Sequence, residues 1–551
     1  MTTDSWSKIA SEMVADHEIH LFYEFDGLGV EGPATRLGDL VDGNTDWLPG
    51  DQVTALRGRY HDEKVWEKTT ADVGGDFYDH LRDLVAGRCE ELATFWRLTA
   101  QALRLVGTAD LYEESTPRES RIRKRLALTL SKEGSERLQA HGIAPRPLSI
   151  KLDSVTLHAF STQTSFAHVV ASVRPLDGQG FVTALELLEA QVALARINKL
   201  SWRPVKDGQP NGTSPFGLNL LVRCLVQGAT AAPPRAERTR SYTFVAFAKP
   251  VSPEDSDRFG LYLARHYTTD YAVAPDIAGV ERVRAFETVR HTIALEGAAT
   301  IISPTDPSGS LPPFLEDFST NTLHQHYVPI ALLALHEYGF LVNRKTRSIM
   351  RYEDAKDIDN TLQNLGRLRS DSLIFRVCFR FSQVSHITMH NELNRAFRAA
   401  LGLDRMLHEF HTDITEIEAF LRAVEEHKRA AEEQKSQHRL FWFSVIGGAS
   451  LAGFTAFTIL TATFRVLLAF ESVRQKLLDW GRGLVAPEWL VQTSGAESSG
   501  HAPELLGLCF GVVIFCIAFW LISRNRPSPH ATTHLTMHAM LEQMSATLDR
   551  E

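Results

Sequence analysis

The sequence predicts an α+β fold in which an α/β domain is followed by a long helical stalk and two transmembrane helices. Three observations predict it. Strand-like and helix-like apolar runs alternate between about residues 148 and 305, two uncharged apolar runs lie near the C-terminus, and a regularly spaced apolar seam leads into the first of them. The expected divisions are an N-terminal mixed α/β extension at 1–147, an α/β domain at 148–350, the stalk at 351–439, transmembrane helices at 440–464 and 505–522 around an extracytoplasmic loop at 465–504, and a tail at 523–551.

In the extension, His20–Phe25 reads as a strand and Phe77–Leu105 as helical. The α/β domain has strand-like runs at Ser149–Phe160, Ala167–Val173, Leu218–Val226, Ser241–Ala248, Val283–Ile293 and Ala299–Ile302. Its helix-like runs are Ala184–Ile197 and Pro253–His266, and loops rich in Pro, Gly and Ser fall at 203–216 and 230–240.

The stalk carries the most regular pattern. Leu403, Leu407, Phe410, Ile414, Ile417, Leu421 and Val424 recur at alternating steps of 4 and 3, the 3.5-residue period of a packed helical seam, with charges at the other positions. Ser370 and Asp371 offer an N-cap, and no proline interrupts the chain from there to Phe464, so one coiled-coil helix is expected over this stretch, with Gly402 its weak point. Such a seam calls for a partner helix, and identical chains around an axis are the simplest supply.

Leu440–Phe464 is 25 residues without a charge, bracketed by Arg439 and Arg465, and Leu505–Ile522 is 18. At 1.5 Å per residue the first exceeds a ~30 Å hydrocarbon core and the second just matches it. Lys428, Arg429, Lys435 and Arg439 precede the first run, and Arg524 and Arg526 follow the second. With no apolar stretch at the N-terminus to direct export, the expected arrangement is multi-pass in the inner (cytoplasmic) membrane with both termini cytosolic.

Over all 551 residues 44% are apolar and 23% charged, and the net charge of −9 argues against a nucleic-acid partner. The five cysteines are scattered without a CxxC pair or a disulfide-like framework, which suits a reducing compartment.

A cytosolic α/β domain, a long stalk helix entering the first span and a second span near the end resemble the CorA-type family of divalent-cation channels. The likeness is architectural over 148–525 and most specific over Asp371–Ile522. It implies a homo-oligomer, pentameric in the family, embedded in the lipid bilayer, with the first span around a central pore and Mg²⁺, Co²⁺, Ni²⁺ or Zn²⁺ as the metal ion transported. The family's Gly-Met-Asn after the first span is missing: the chain reads Thr461-Ala-Thr-Phe-Arg465, and the following loop is far longer than the family's. Selectivity therefore does not transfer with the topology. A ligand-gated membrane effector or signalling protein reusing this layout is the alternative.

Candidate pore-lining residues are Ser444, Gly448, Leu451, Thr455 and Thr458, which follow the seam's 3.5-residue period. Hydroxyls at these steps could replace part of an ion's hydration, and Leu451 could form a dewetting constriction. The same small residues also suit close helix packing. His530, His534 and His538 repeat every four residues in the tail and place three imidazoles on one helix face, as a zinc-type site needs. Gly27-Leu-Gly-Val-Glu-Gly32 matches a dinucleotide fingerprint only in spacing, because Pro33 follows and no βαβ unit continues from it. No catalytic motif is present, so no enzymatic activity is expected.

Overall fold

The computed structural model describes residues 6–26, 33, 36–41, 48, 50–108, 124–178, 180–196, 200–204, 216–226, 239–305 (except 272, 275, 276 and 285), 317–353, 358–469 and 502–524. The chain divides into two units, Met1–Ala419 and Phe420–Glu551.

Among the described residues, the first unit is built on one mixed sheet of eleven strands. In chain order these are β1 (Val14–Asp26), β2 (Trp66–Thr69), β3 (Ala93–Leu98), β4 (Lys124–Leu128), β5 (Leu148–Phe160), β6 (Thr164–Pro175), β7 (Leu200–Pro204), β8 (Arg240–Phe247), β9 (Val280–Val283), β10 (Val289–Ala294) and β11 (Gly297–Ile302). The main order is β2-β3-β5-β6-β1-β8-β11-β10-β9, and β4 pairs with β5 and β7. Among the described residues only β8 and β11 pair in parallel; the other pairings are antiparallel. The expected boundary at residue 147 does not divide this sheet, because β1 lies between β6 and β8.

Strand periodicity decides what each face holds. Ile19, Leu21, Tyr23 and Phe25 enter one apolar core with Val169, Val245 and Ile301, together with residues of helices Ala184–Arg196, Leu218–Val226 and Pro253–Arg265. The alternate residues Glu18, His20, Phe22 and Glu24 point to the other face, which helices Val328–Glu353 and Thr388–Ala400 cover. The unit is thus helix, sheet, helix in layers.

Four expectations are corrected. Leu218–Val226 is a helix, because Leu218, Leu221, Val222, Leu225 and Val226 satisfy the 3.6-residue period and are buried together. Phe77–Leu105 is helix Asp79–Val85, strand β3 and helix Ala100–Thr108, and Gly87 at φ +70° follows the first of these. Val283–Ile293 folds back on itself, so that β9 pairs with β10.

The fourth concerns the stalk, which is three helices rather than one: Ile358–Cys378, Thr388–Ala400 and Leu403–Ala469. Ser370 lies inside the first of them. The break near residues 379–387 is held by tertiary hydrogen bonds that replace the helical ladder. Asn391 Oδ1 accepts from Val384 N and Ser385 N, and the Ser385 hydroxyl donates to Asp76 O at 2.8 Å. The second break is at Gly402, at φ +65°. Arg380 contacts Asp404 and Arg369 contacts Glu418, so the segment before the turn runs antiparallel to the start of the long helix. Leu403, Leu407, Phe410 and Ile414 are buried within the chain. The lower half of the seam therefore finds its partner in its own chain.

The helical stretch Leu403–Thr463, whose residues from Phe420 on belong to the second unit, contains a window long and apolar enough to cross a membrane, with mean hydropathy 1.7. Helix Ala502–Arg524 packs against it in antiparallel fashion, Gly453 meeting Gly511 and Trp442 meeting Phe519.

Candidate functional site

Two places hold the residues with chemical potential, one in each unit. In the second, Val445, Ala449, Gly453 and Thr461 are buried and form the face turned to helix Ala502–Arg524. A Cβ on Gly453 would lie 3.0 Å from the Gly511 carbonyl oxygen and 3.3 Å from Phe515 Cβ, so the backbones approach as closely as glycine allows. Ser444, Gly448, Leu451, Thr455 and Thr458 are all exposed on the remaining surface. Large apolar side chains, among them Phe443, Phe454 and Ile459, are exposed as well, a surface suited to lipid or to further helices. The hydroxyls of Thr455 and Thr458 donate to Leu451 O and Phe454 O, each at 2.8 Å. This satisfies the O–H in apolar surroundings while leaving oxygen lone pairs available. Replacing Gly453 with Leu is expected to weaken the helix pair by about 1–3 kcal/mol, as overpacking does, read as an earlier unfolding midpoint in detergent, with Ala in the same place having a smaller effect.

In the first unit, eight histidines gather between the sheet and its covering helices. His20, His158, His168 and His291 come from β1, β5, β6 and β10, and His324, His326, His336 and His390 from the helical layer. Strand alternation puts the first four on one face, where aromatic stacking holds them. Phe22 and His168 are cross-strand partners stacked at 4.7 Å, and Phe160 stacks on His336 at 4.0 Å. Burial lowers His158, His291 and His336 to about 3 and drives His168 well below the ordinary range.

At one edge of this layer, Glu18, His20 and His324 converge. Glu18 and His20 are two apart on β1 and share a face. His324 comes from Phe318–Tyr327, a π-helix of ten residues, a rare conformation often found at functional sites. Glu18 Oε2 is 3.3 Å from His20 Nε2 and 2.7 Å from His324 Nε2, and the three donor atoms lie within 4.8 Å of one another. Burial resists ionisation of Glu18, but the two imidazoles outweigh it and hold the carboxyl down at about 2. Behind them, His20 Nδ1 lies 3.0 Å from His168 Nε2.

The strands splay beside this group. The β1–β6 ladder stops at Ile19, and His17 Nε2 accepts the Val173 N–H at 2.9 Å in its place. A polar cleft of about 420 Å³ opens there, lined by Asp16, Glu18, Lys151, Asp153 and Arg174 among others.

Sequence reasoning passed over Glu18, His20 and His324. The local signal was the Glu18-Ile-His20 alternation on a strand, but His324 joins it only through the fold. The tail histidines His530, His534 and His538 and the glycine motif at 27–32 lie outside the described residues. No family model matches the chain, and neither a curated protein nor a solved structure matches it.

Proposed function

We propose that this chain is an oligomeric membrane channel of CorA-like layout, opened and closed by its sheet-bearing unit, with divalent metal cations as cargo. Both apolar helices cross the bilayer in this reading, and the two termini stay on the cytosolic side. The observation that carries it is the division of faces on the helix that begins at Leu403. One face is taken by helix Ala502–Arg524, while Ser444, Gly448, Leu451, Thr455 and Thr458 stay exposed and available to further copies. Around a shared axis these residues would offer hydroxyl oxygens at two levels and an apolar constriction at Leu451.

Divalent-cation flux into proteoliposomes tests the reading. Thr455→Phe and Thr458→Phe are expected to remove most of the flux; unchanged flux would contradict the assigned face. A second reading, an effector that disturbs the membrane only when its ligand is bound, is favoured by the burial of Leu403, Leu407, Phe410 and Ile414 within the chain, which leaves less seam for assembly. The missing Gly-Met-Asn agrees with it. Non-selective leakage that depends on a ligand would support the effector, and selective uptake the channel.

A further inference from the structure

The convergence of Glu18, His20 and His324 goes beyond the channel reading and stands without it. A tetrahedral ion held at about 2.0–2.2 Å from each ligand keeps its donor atoms about 3.4 Å apart. The 3.3 Å from Glu18 Oε2 to His20 Nε2 lies close to that spacing, whereas the 2.7 Å to His324 Nε2 is shorter and opens to it only if the half-exposed His324 side chain shifts outward. Both contacts are at ion-pair distance, yet neither Glu18 Oε2 nor His20 Nε2 makes a well-aligned hydrogen bond. His20 has 0% exposure, so its bare nitrogen is costly unless something occupies the point on which the donors converge.

His168 supplies what a ligating histidine needs from behind. Its Nε2 lies 3.0 Å from His20 Nδ1, and the tautomer in which His20 Nδ1–H donates across that contact turns the lone pair of His20 Nε2 to Glu18 and His324. The π-helix is a further pointer, since it presents His324 to the same point from the covering layer.

We propose that Glu18 Oε2, His20 Nε2 and His324 Nε2 bind one divalent transition-metal ion of the Zn²⁺ class, with His168 orienting His20 and a fourth coordination position open to the neighbouring polar cleft. Two imidazoles and one carboxylate suit Zn²⁺, Co²⁺ or Ni²⁺, whereas Mg²⁺ prefers an all-oxygen octahedron.

The test uses the full chain in detergent, stripped with a chelator and titrated with Zn²⁺ against a chromophoric competitor. One ion per chain is expected, weakened at least about tenfold by His324→Ala and by Glu18→Gln. The His530→Ala/His534→Ala/His538→Ala triple variant should retain it, and excess Mg²⁺ should not displace it. Co²⁺ in the wild-type chain should give the visible absorption of a low-coordinate site, lost in His324→Ala. His324 sits at the surface with its side chain 38% exposed, so its truncation leaves the fold intact. Circular dichroism checks this, and Zn²⁺ should raise the melting point of the wild type but not of His324→Ala. Unchanged affinity in both single variants, or binding lost with the tail histidines, would overturn the assignment. Because the readout is binding and not flux, failure here is separate from failure of the channel reading.

Discussion

Acidification from pH 6.5 towards pH 4 is expected to unfold the sheet-bearing unit. Burial lowers His158, His291 and His336 from about 6.5 in the unfolded chain to about 3 in the fold. Between those values the unfolded state binds a proton at each site that the folded state excludes, so stability falls as pH falls. It is intact above pH 6.5, and the loss levels off near pH 3. Each site removes about 1.4 kcal/mol per pH unit, and three together about 4 kcal/mol per unit. Two units of acidification therefore approach the whole stability of a typical domain, about 5–15 kcal/mol. His158 gives the cleanest check, since neither of its ring nitrogens has a hydrogen-bond partner and its ring packs edge-on against Phe95. His158→Phe should reduce the pH slope of the unfolding free energy by about one proton; an unchanged slope would show that this imidazole does not stay neutral in the fold.

Removal of Arg398 is the second large effect. Glu337 is 3% exposed, and Arg398 Nη1 donates to its Oε2 at 2.5 Å while Nη2 donates to Asp404 Oδ1 at 2.6 Å. Burial raises the Glu337 carboxyl and the Arg398 charge opposes that rise. Arg380 also reaches Glu337, at 3.4 Å. These four residues tie helix Val328–Glu353 to the turn that begins the long helix at Leu403, immediately beyond Gly402. Arg398→Met leaves a buried carboxylate with only the weaker Arg380 contact, and about 3–5 kcal/mol of stability should be lost in denaturant titrations. The double variant Arg398→Met/Glu337→Leu should recover much of that loss, because no charge is then left uncompensated. Equal destabilisation in the single and double variants would mean that packing, and not charge pairing, dominates here.

Legibility in the sequence followed the physics of each element. Strands β5, β6 and β8 and helices Ala184–Arg196 and Pro253–Arg265 were readable because their patterns are long and their ends marked, as by Ser252 capping Asp255 N. Leu218–Val226 was misread because a nine-residue apolar run satisfies either period until something covers it. The stalk was overextended for a different reason. Proline-free sequence permits a helix, but the bonds that stop it come from Asn391 and from Asp76, whose partner Ser385 is 309 residues away. Gly402 was visible as a weak point and is where the helix breaks. The pore-face candidates could be placed on one surface from spacing alone. The Glu18–His20–His324 group could not, since strand alternation supplies two of its members and only the fold brings the third.

The mass of the particle in mild detergent tests the central claim most directly. A channel built from the exposed Ser444–Thr458 face requires several chains, so light scattering should give a discrete multiple of 61.6 kDa once bound detergent is subtracted. A single chain at every protein concentration would contradict it.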